Sequence, residues 1–222
     1  PVIGLILLLI LTLSILVHEM NRLAQQNQLD KGKIISILLI SVLTVSVMKM
    51  VSMYTTHDNQ LFFAVPVATG ALLVKLLIHE RFAIVLSALY SILGSVIFNG
   101  EIPGALNVEA GMYFFFSQLA ATMFLRTIRD RLAIVRAGFG MIVVNLLTVL
   151  LFIFLSFEKY TISDVFMLLG FGTISAFLSA VLTIGLLPFF ETSLGILSDI
   201  KLLSLSSPNH PLLRKLLIEA PG

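Results

Sequence analysis

The 222-residue sequence has no cysteine and no tryptophan, and only 12% of its residues carry a charge. Because there is no cysteine, the chain has no disulfide bond, no thiol nucleophile and no thiolate ligand for a metal. An average soluble domain has about 25% charged residues, a much larger share. The low charge content therefore argues against a water-soluble globular enzyme.

Apolar residues, by contrast, make up 58% of the chain, and its mean hydropathy is +1.06. A single core of 222 residues cannot bury that much apolar surface away from water. Intrinsic disorder is excluded as well, because disordered chains have few apolar residues and many charges. The apolar residues form continuous stretches rather than short alternating ones, which predicts transmembrane helices and not a barrel of strands.

Seven apolar stretches are long enough to be membrane-spanning helices, for which about 20 residues suffice. They are residues 1–17, 34–53, 61–78, 82–98, 110–125, 132–155 and 165–187. We therefore predict an all-α, polytopic membrane protein in which residues 1–187 form a bundle of seven transmembrane helices. Residues 188–222 are predicted to be a short cytoplasmic tail.

The positions of lysine and arginine predict the orientation of the bundle. Of the 14 Lys and Arg residues, 12 lie in or beside alternate connections or in the tail, and only Lys49 and Lys159 lie on the other side. Connections rich in Lys and Arg remain in the cytoplasm. With seven spans, this rule places the N-terminus outside the cell and the C-terminus in the cytoplasm.

The tail has the pattern of two short amphipathic helices. Pro188 is expected to kink or end the seventh span, because proline lacks the backbone N–H that a helix needs. Ile196, Ile200 and Leu203 then recur at the spacing of one helix face. Pro211 suits the first position of a second short helix. Such helices would lie along the inner membrane surface or dock on a further domain.

Several segments of the tail carry a family likeness. They are Pro188-Phe-Phe-Glu191, Lys201-Leu-Leu-Ser-Leu-Ser206, Pro208-Asn-His-Pro-Leu-Leu213 and Glu219-Ala-Pro-Gly222. Residues 131–145 are similar to the sixth span of the same family. In these segments the chain resembles the seven-transmembrane-receptor HD hydrolase family, the bacterial PgpH-type cyclic di-AMP phosphodiesterases.

This resemblance implies a larger protein in the bacterial plasma membrane. It implies an extracytoplasmic domain before the spans and a cytoplasmic HD domain after Gly222, in which His and Asp residues bind two divalent metals of the Mn or Fe type and hydrolyse cyclic di-AMP. The one adjacent His-Asp pair of this chain, His57-Asp58, lies in the short connection between the second and third spans, not after Gly222, where the resemblance implies the HD domain. We therefore expect residues 1–222 to hold no cofactor and no metal and to have no enzymatic activity of their own.

A signal that reaches the HD domain would pass through the end of the seventh span. The candidate relay residues are Arg136, Pro188, Glu191, Asn209 and His210. Arg136 lies one turn inside the sixth span, where a charge is costly and therefore suggests a function. It could pair with Glu80, with Asp130 or with a lipid phosphate.

Acidic residues near the predicted outer surface form a second candidate site. Asp58, Glu101 and Glu109 could line a polar outer vestibule, and with His57 their composition would suit a cation. The alternative is that these side chains lie in solvated loops and share no site.

Polar residues inside the spans allow two interpretations. Lys49 and Lys75 are interpreted as anchors whose long side chains reach the interface, with contacts inside the bundle as the alternative. Two stripes of small residues predict close helix packing, with a polar ligand path as the alternative. These stripes are Ser87, Ser91 and Ser95 in the fourth span, and Ser175, Ser179 and Thr183 in the seventh. Pro66 and Gly70 predict a kink in the third span.

The function predicted from these observations is that of a membrane domain that anchors and regulates an HD phosphodiesterase. Its expected partners are the lipid bilayer, the HD domain, the extracytoplasmic domain and a small ligand of unknown chemistry. Nucleic acid is not expected, because there is no basic run with interleaved aromatic residues. A small-solute transporter or channel, and a module that only anchors and forms homodimers, are the alternatives.

Overall fold

The computed structural model describes residues 2–26, 28–55, 60–100, 106–125, 131–157 and 159–196. All regular secondary structure in these ranges is helical. The helices are α1 (Val2–Gln25), α2 (Lys31–Ser52), α3 (Ala68–Leu77), α4 (Glu80–Ile97), α5 (Val108–Phe124), α6 (Leu132–Leu155) and α7 (Ile162–Ser193), with a 3₁₀ turn at Leu61–Ala64 before α3. The predicted all-α class is confirmed.

Each predicted span coincides with one of these helices, but the helices differ in length. Within the described ranges, five helices are long and apolar enough to cross a membrane, namely α1, α2, α4, α6 and α7. The third span is a shorter apolar segment, Leu61–Leu77, and α5 has 17 residues. Helix length and composition support five crossings. The full set of seven crossings remains a prediction.

Helix α7 does not end where the sequence predicts. It passes through Pro188 and continues to Ser193, so the expectation that Pro188 could end the helix is wrong. The last turn is held by the Thr192 hydroxyl, which donates to the Pro188 carbonyl oxygen at 2.7 Å, and by burial of Phe190 and Glu191. Proline is tolerated in membrane helices where neighbouring groups make up for the missing hydrogen bond.

Local sequence sets the start of several helices. Thr161 and Asp164 form a capping box, in which each side chain bonds the other residue's backbone N–H, so α7 begins three residues before the predicted position of 165. Asp30 caps α2 by accepting from the Lys33 backbone N–H at 2.8 Å. Asn107 caps α5 in the same way, accepting from Ala110 at 2.9 Å.

The third span lies at the centre of the bundle. Every residue of α3 except Thr69 is buried, and α3 packs against α2, α4, α5 and α7. The predicted kink is a full interruption, because residues 65–67 separate the 3₁₀ turn from α3 and Pro66 lies between them. Gly70 lets α2 and α4 come close, since a Cβ there would lie 2.9 Å from Thr44 Oγ1.

The ends of the helices alternate, so that one end of the bundle collects most of the described charged residues. We call this the basic end; α1, α3, α5 and α7 end there, and α2, α4 and α6 begin there. A Cβ on Gly32, near the start of α2, would lie 2.8 Å from the Leu194 carbonyl oxygen, just after α7. At the opposite end, Gln60 donates to the Tyr160 hydroxyl at 3.2 Å. The first residue of α1 and the last of α7 therefore lie at opposite ends.

Candidate functional site

A cluster of buried polar groups surrounds the interruption in the third span. The Tyr113 hydroxyl of α5 donates to the Phe63 carbonyl oxygen at 2.7 Å. The Ser175 hydroxyl of α7 donates to the Val65 carbonyl oxygen, also at 2.7 Å. An interrupted helix leaves backbone carbonyls without partners, and in a membrane no water is there to bind them. Side chains from two other helices therefore make the interruption possible.

Asn145 of α6 completes this cluster. It is fully buried and donates from Nδ2 to the Gly172 carbonyl oxygen of α7 at 3.0 Å. Its side chain also lies beside the Tyr113 hydroxyl, as does Ser175. We call Phe63, Val65, Tyr113, Asn145 and Ser175 the polar centre.

The polar centre connects the third span to α5, α6 and α7. Hydrogen bonds between helices in lipid are worth about 1 kcal/mol each, because the reference state also finds partners. Small as they are, they are directional, and they fix the position of α7 along the third span. A shift of α7 must break the bond from Ser175 or carry the interruption with it.

The serine stripes serve mainly for packing. Ser87 and Ser91 donate to carbonyl oxygens of their own helix, those of Ala83 and Ser87, both at 2.7 Å. Ser179 is fully buried between helices and its hydroxyl has no partner among the described residues. Gly138 approaches so closely that a Cβ there would lie 3.2 Å from the Ala180 Cβ. These contacts favour the packing interpretation over a polar ligand path.

The sequence candidates do not include Asn145 and Gln118, which are both fully buried. Gln118 donates from Nε2 to the Phe114 carbonyl oxygen at 2.9 Å and approaches Ser91 Oγ at 3.5 Å. The oxygen of each carboxamide, Gln118 Oε1 and Asn145 Oδ1, has no partner among the described residues. A lone carboxamide inside an apolar stretch is the signal that could have identified them, because such a group needs a partner in lipid.

At the basic end, Lys75 is a contact within the bundle. Its ammonium donates to the Thr122 carbonyl oxygen at 2.6 Å and lies 3.2 Å from Glu80 Oε1. Thr122 belongs to the last turn of α5, where carbonyls have no helical partner and the helix dipole favours a cation. The interpretation of Lys75 as an interfacial anchor is therefore wrong, whereas Lys49 is exposed near the end of α2.

Helix α1 is attached to the bundle at the same end. Its Glu19 is buried and lies 3.3 Å from Arg22 and 3.8 Å from Arg81 at the start of α4. His79 caps α4, because its Nδ1 accepts from the Arg81 backbone N–H at 3.1 Å. The ion pairs Lys75–Glu80 and Glu19–Arg81 join α3 and α1 to α4 at the basic end, and the hydrogen bond from Lys75 to the Thr122 carbonyl oxygen adds α5.

The predicted relay residues lie in different surroundings. Arg136 is exposed on α6 and forms no ion pair with a described residue; Glu80, one of its predicted partners, binds Lys75. Pro188 is half-buried within α7 and Glu191 is buried in its last turn. Asn209, His210 and Asp130 lie outside the described residues.

The predicted outer vestibule has one described member. Glu109 is half-buried in the first turn of α5, at the end opposite the basic end. Asp58, Glu101 and His57 lie outside the described residues, so the vestibule stays a prediction. In the ranges that the structure describes, no three His, Asp or Glu side chains come together in a way that could hold a metal ion.

Comparison with known proteins identifies the family. The sequence profile described as a 7TM receptor with intracellular HD hydrolase matches residues 1–198. The chain belongs to this family.

Two curated relatives are similar to the chain. The protein named cyclic-di-AMP phosphodiesterase PgpH from Bacillus subtilis strain 168 is 36% identical over 223 aligned residues, which cover 100% of this chain and 31% of the relative. The protein of the same name from Listeria monocytogenes is 27% identical over 168 residues, covering 76% and 23%. The chain thus spans less than a third of the length of these relatives. No solved structure matches it.

Proposed function

We propose that this chain is the membrane domain of a bacterial cyclic di-AMP phosphodiesterase, anchored in the plasma membrane by seven spans. The names of the two relatives support the activity of the whole protein. The apolar helices support the membrane location. The shorter third span and α5 complete the seven, since both carry polar groups into the polar centre rather than into solvent.

In this proposal the N-terminus lies outside the cell and the basic end faces the cytoplasm. The positive-inside rule supports this orientation, because 12 of the 14 Lys and Arg residues belong to that side. The HD domain would follow in the cytoplasm, and its His and Asp residues would bind the two divalent metals that catalyse hydrolysis. The domain before α1 would be extracytoplasmic.

The regulatory part of the proposal rests on the continuity of α7. This helix has 32 residues and is interrupted neither at Pro188 nor at the polar centre. Ser175 ties its middle to the third span, and the residues that follow it pack on the start of α2. A rigid helix with contacts at both levels can carry a displacement from inside the bundle to a domain that follows it.

A signal acts on such a helix only if it binds two helix arrangements with different affinity. We expect the signal to reach the bundle from the outer side or from within the membrane. The second arrangement would change the contact between Gly32 and the residues Leu194 and Ile196, because this contact is where α7 leaves the bundle.

A reversible disulfide tests this relay in the full-length protein. A Cβ on Gly32 would lie 3.3 Å from Ile196 Cγ1, so cysteines at these two positions would face each other. It would also lie 2.8 Å from the Leu194 carbonyl oxygen, so the single Gly32→Cys variant measures the effect of the shift that the new side chain requires. The variant with Gly32→Cys and Ile196→Cys is reconstituted in lipid, and its cyclic di-AMP hydrolysis is measured oxidised and reduced. Each single-cysteine variant serves as a control for the reductant and for the substitution. This chain supplies no competing cysteine.

We expect the oxidised double variant to differ in hydrolysis rate from the reduced one by several-fold, while the single variants do not respond. Equal rates in the presence of a fully formed disulfide would contradict the relay and leave anchoring as the role of the spans. Absence of cyclic di-AMP hydrolysis in the wild-type protein would contradict the proposed activity itself.

The transporter alternative has one feature in its favour, because the interrupted third span is a device that transporters use at binding sites. Transporters of that type have such interruptions in matching pairs, and the described residues contain only one. Solute flux in liposomes that contain the chain would decide for transport.

A further inference from the structure

An arginine lies on the lipid-facing side of α6. Arg136 is exposed, and the residues that share its helix face, Leu132, Phe139 and Val143, are exposed and apolar. Leu132 and Phe139 have 59% and 68% of their surface accessible. In a bilayer this face contacts lipid, so Arg136 is a charged residue on an otherwise lipid-facing stripe.

The two described acidic residues that form ion pairs at the basic end bind other cations. At the basic end, Glu80 pairs with Lys75 and Glu19 pairs with Arg22 and Arg81. Arg136 itself makes no ion pair with a described residue. A charged side chain that faces hydrocarbon without a partner costs about 3 kcal/mol or more at the centre of a bilayer, and less where it can reach the interface.

The position of Arg136 along α6 puts the interface within reach. It is the fifth residue of the helix, so its Cα lies about 6 Å from the start at Leu132. An arginine side chain extends to the headgroup region from this depth. Arg131, directly before the helix, is exposed as well, and the helix dipole adds positive potential at the same end.

We propose that Arg136, assisted by Arg131, binds the phosphate of an anionic phospholipid in the leaflet at the basic end. The guanidinium group is planar and forms paired hydrogen bonds with two phosphate oxygens. A zwitterionic headgroup carries its own cation, which would face two arginines. A headgroup with net negative charge, such as phosphatidylglycerol, has no such conflict.

Native mass spectrometry of the full-length protein in detergent tests the site. Phosphatidylglycerol, phosphatidylcholine and inorganic phosphate are titrated separately, and inorganic phosphate is also added as a competitor. The variants are Arg136→Gln and Arg136→Lys, with Lys49→Gln as the matched control, because Lys49 is an exposed cation near the opposite end. The melting temperature of each variant without lipid verifies that it is folded.

We expect Arg136→Gln to lower the apparent affinity for phosphatidylglycerol by about tenfold, which corresponds to about 1.4 kcal/mol. Arg136→Lys should fall in between, because an ammonium is a point charge without the paired geometry. Lys49→Gln should bind like the wild type. Phosphatidylcholine should bind more weakly than phosphatidylglycerol to the wild-type protein.

Three results would overturn the proposal. One is unchanged phosphatidylglycerol affinity in Arg136→Gln, and another is equal affinity for the two lipids. The third is displacement of the lipid by inorganic phosphate at similar concentration, which would identify a site for free phosphate. No arm of the test depends on catalysis, so its outcome is separate from that of the proposed regulation.

Discussion

The third span and α1 are both apolar, yet their surroundings are opposite. α3 is buried on all sides by four other helices, whereas α1 is exposed along most of its length and packs mainly against α4. The difference lies in their small and polar residues. In α3, Gly70 lets neighbouring helices come close and Lys75 forms an ion pair with Glu80. Helix α1 is mostly a run of Leu and Ile, and its buried Glu19 pairs with Arg81 of α4. In lipid, apolar side chains do not drive helices together, so small and polar residues determine which helix is central.

Glycine substitutions should give the largest difference between the two regions. A Cβ on Gly70 would lie 2.9 Å from Thr44 Oγ1 and 3.2 Å from the Tyr90 ring, whereas a Cβ on Gly4 of α1 would meet nothing within 4 Å. We expect Gly70→Val to lower the free energy of unfolding by about 2–3 kcal/mol, because overpacking forces neighbours apart. Gly4→Val should change it by less than about 0.5 kcal/mol.

Unfolding in mixed micelles with increasing dodecyl sulfate, followed by the loss of helix signal, measures both glycine variants. If Gly4→Val were as destabilising as Gly70→Val, the description of α1 as a lipid-exposed, loosely attached helix would be wrong.

Lysine substitutions should give the next largest difference. Lys75→Met removes the cation that binds the Thr122 carbonyl oxygen and keeps a similar side-chain length. A buried carbonyl left without a partner costs about 1–3 kcal/mol, and the half-exposed Glu80 adds little, so we expect a loss of about 1–2 kcal/mol.

The control is Lys49→Met in the last turn of α2, which should be close to neutral because Lys49 is exposed. The same titration compares the two variants. A neutral Lys75→Met would mean that Lys75 is an interfacial anchor after all.

Serine substitutions should give the smallest difference. Ser175→Ala removes the bond to the Val65 carbonyl oxygen of the third span, whereas Ser87→Ala removes a bond within α4 itself. We expect a loss of about 0.6–1 kcal/mol for Ser175→Ala and less for Ser87→Ala, in line with single hydrogen bonds between membrane helices.

Hydrogen exchange of the backbone amides of Val65 and residues 67–70 provides a second readout for the serine pair. Exchange there should be faster in Ser175→Ala than in the wild type and unchanged in Ser87→Ala. Equal exchange in all three proteins would show that Ser175 does not hold the interruption in place.

The positions of the helices could be predicted from the sequence because long apolar runs separated by charged connections are a strong signal. The central position of the third span could not, because hydropathy is the same for a residue that faces lipid and one that faces another helix. The end of α7 was misplaced for a different reason. The rule that proline ends a helix considers only the lost backbone hydrogen bond, whereas here the burial of Phe190 and Glu191 favours continuing the helix past Pro188. The Thr192 hydroxyl adds a bond to the Pro188 carbonyl oxygen in the last turn.

The candidate site was predictable only in part. Pro66 indicated the interruption and the serine stripe indicated a packed face, but neither pattern says that Ser175 binds the interruption 110 residues away in sequence. Lys75 was misinterpreted because the side chain of a lysine near a helix end can reach either the membrane interface or a neighbouring helix. It binds the neighbour when that helix ends beside it, as α5 does here. Sequence alone does not give that neighbour.

The interrupted third span has a consequence for the biosynthesis of the protein. Its carbonyls at Phe63 and Val65 are bound by α5 and α7, which leave the ribosome later. While only the first four helices are in the membrane, the Phe63 carbonyl lacks its donor from α5, and the Val65 carbonyl has only the Val67 backbone N–H at 2.8 Å. The third span therefore reaches the arrangement described here only after α7 has been inserted, and a chain truncated before α7 lacks the bond from Ser175 to Val65.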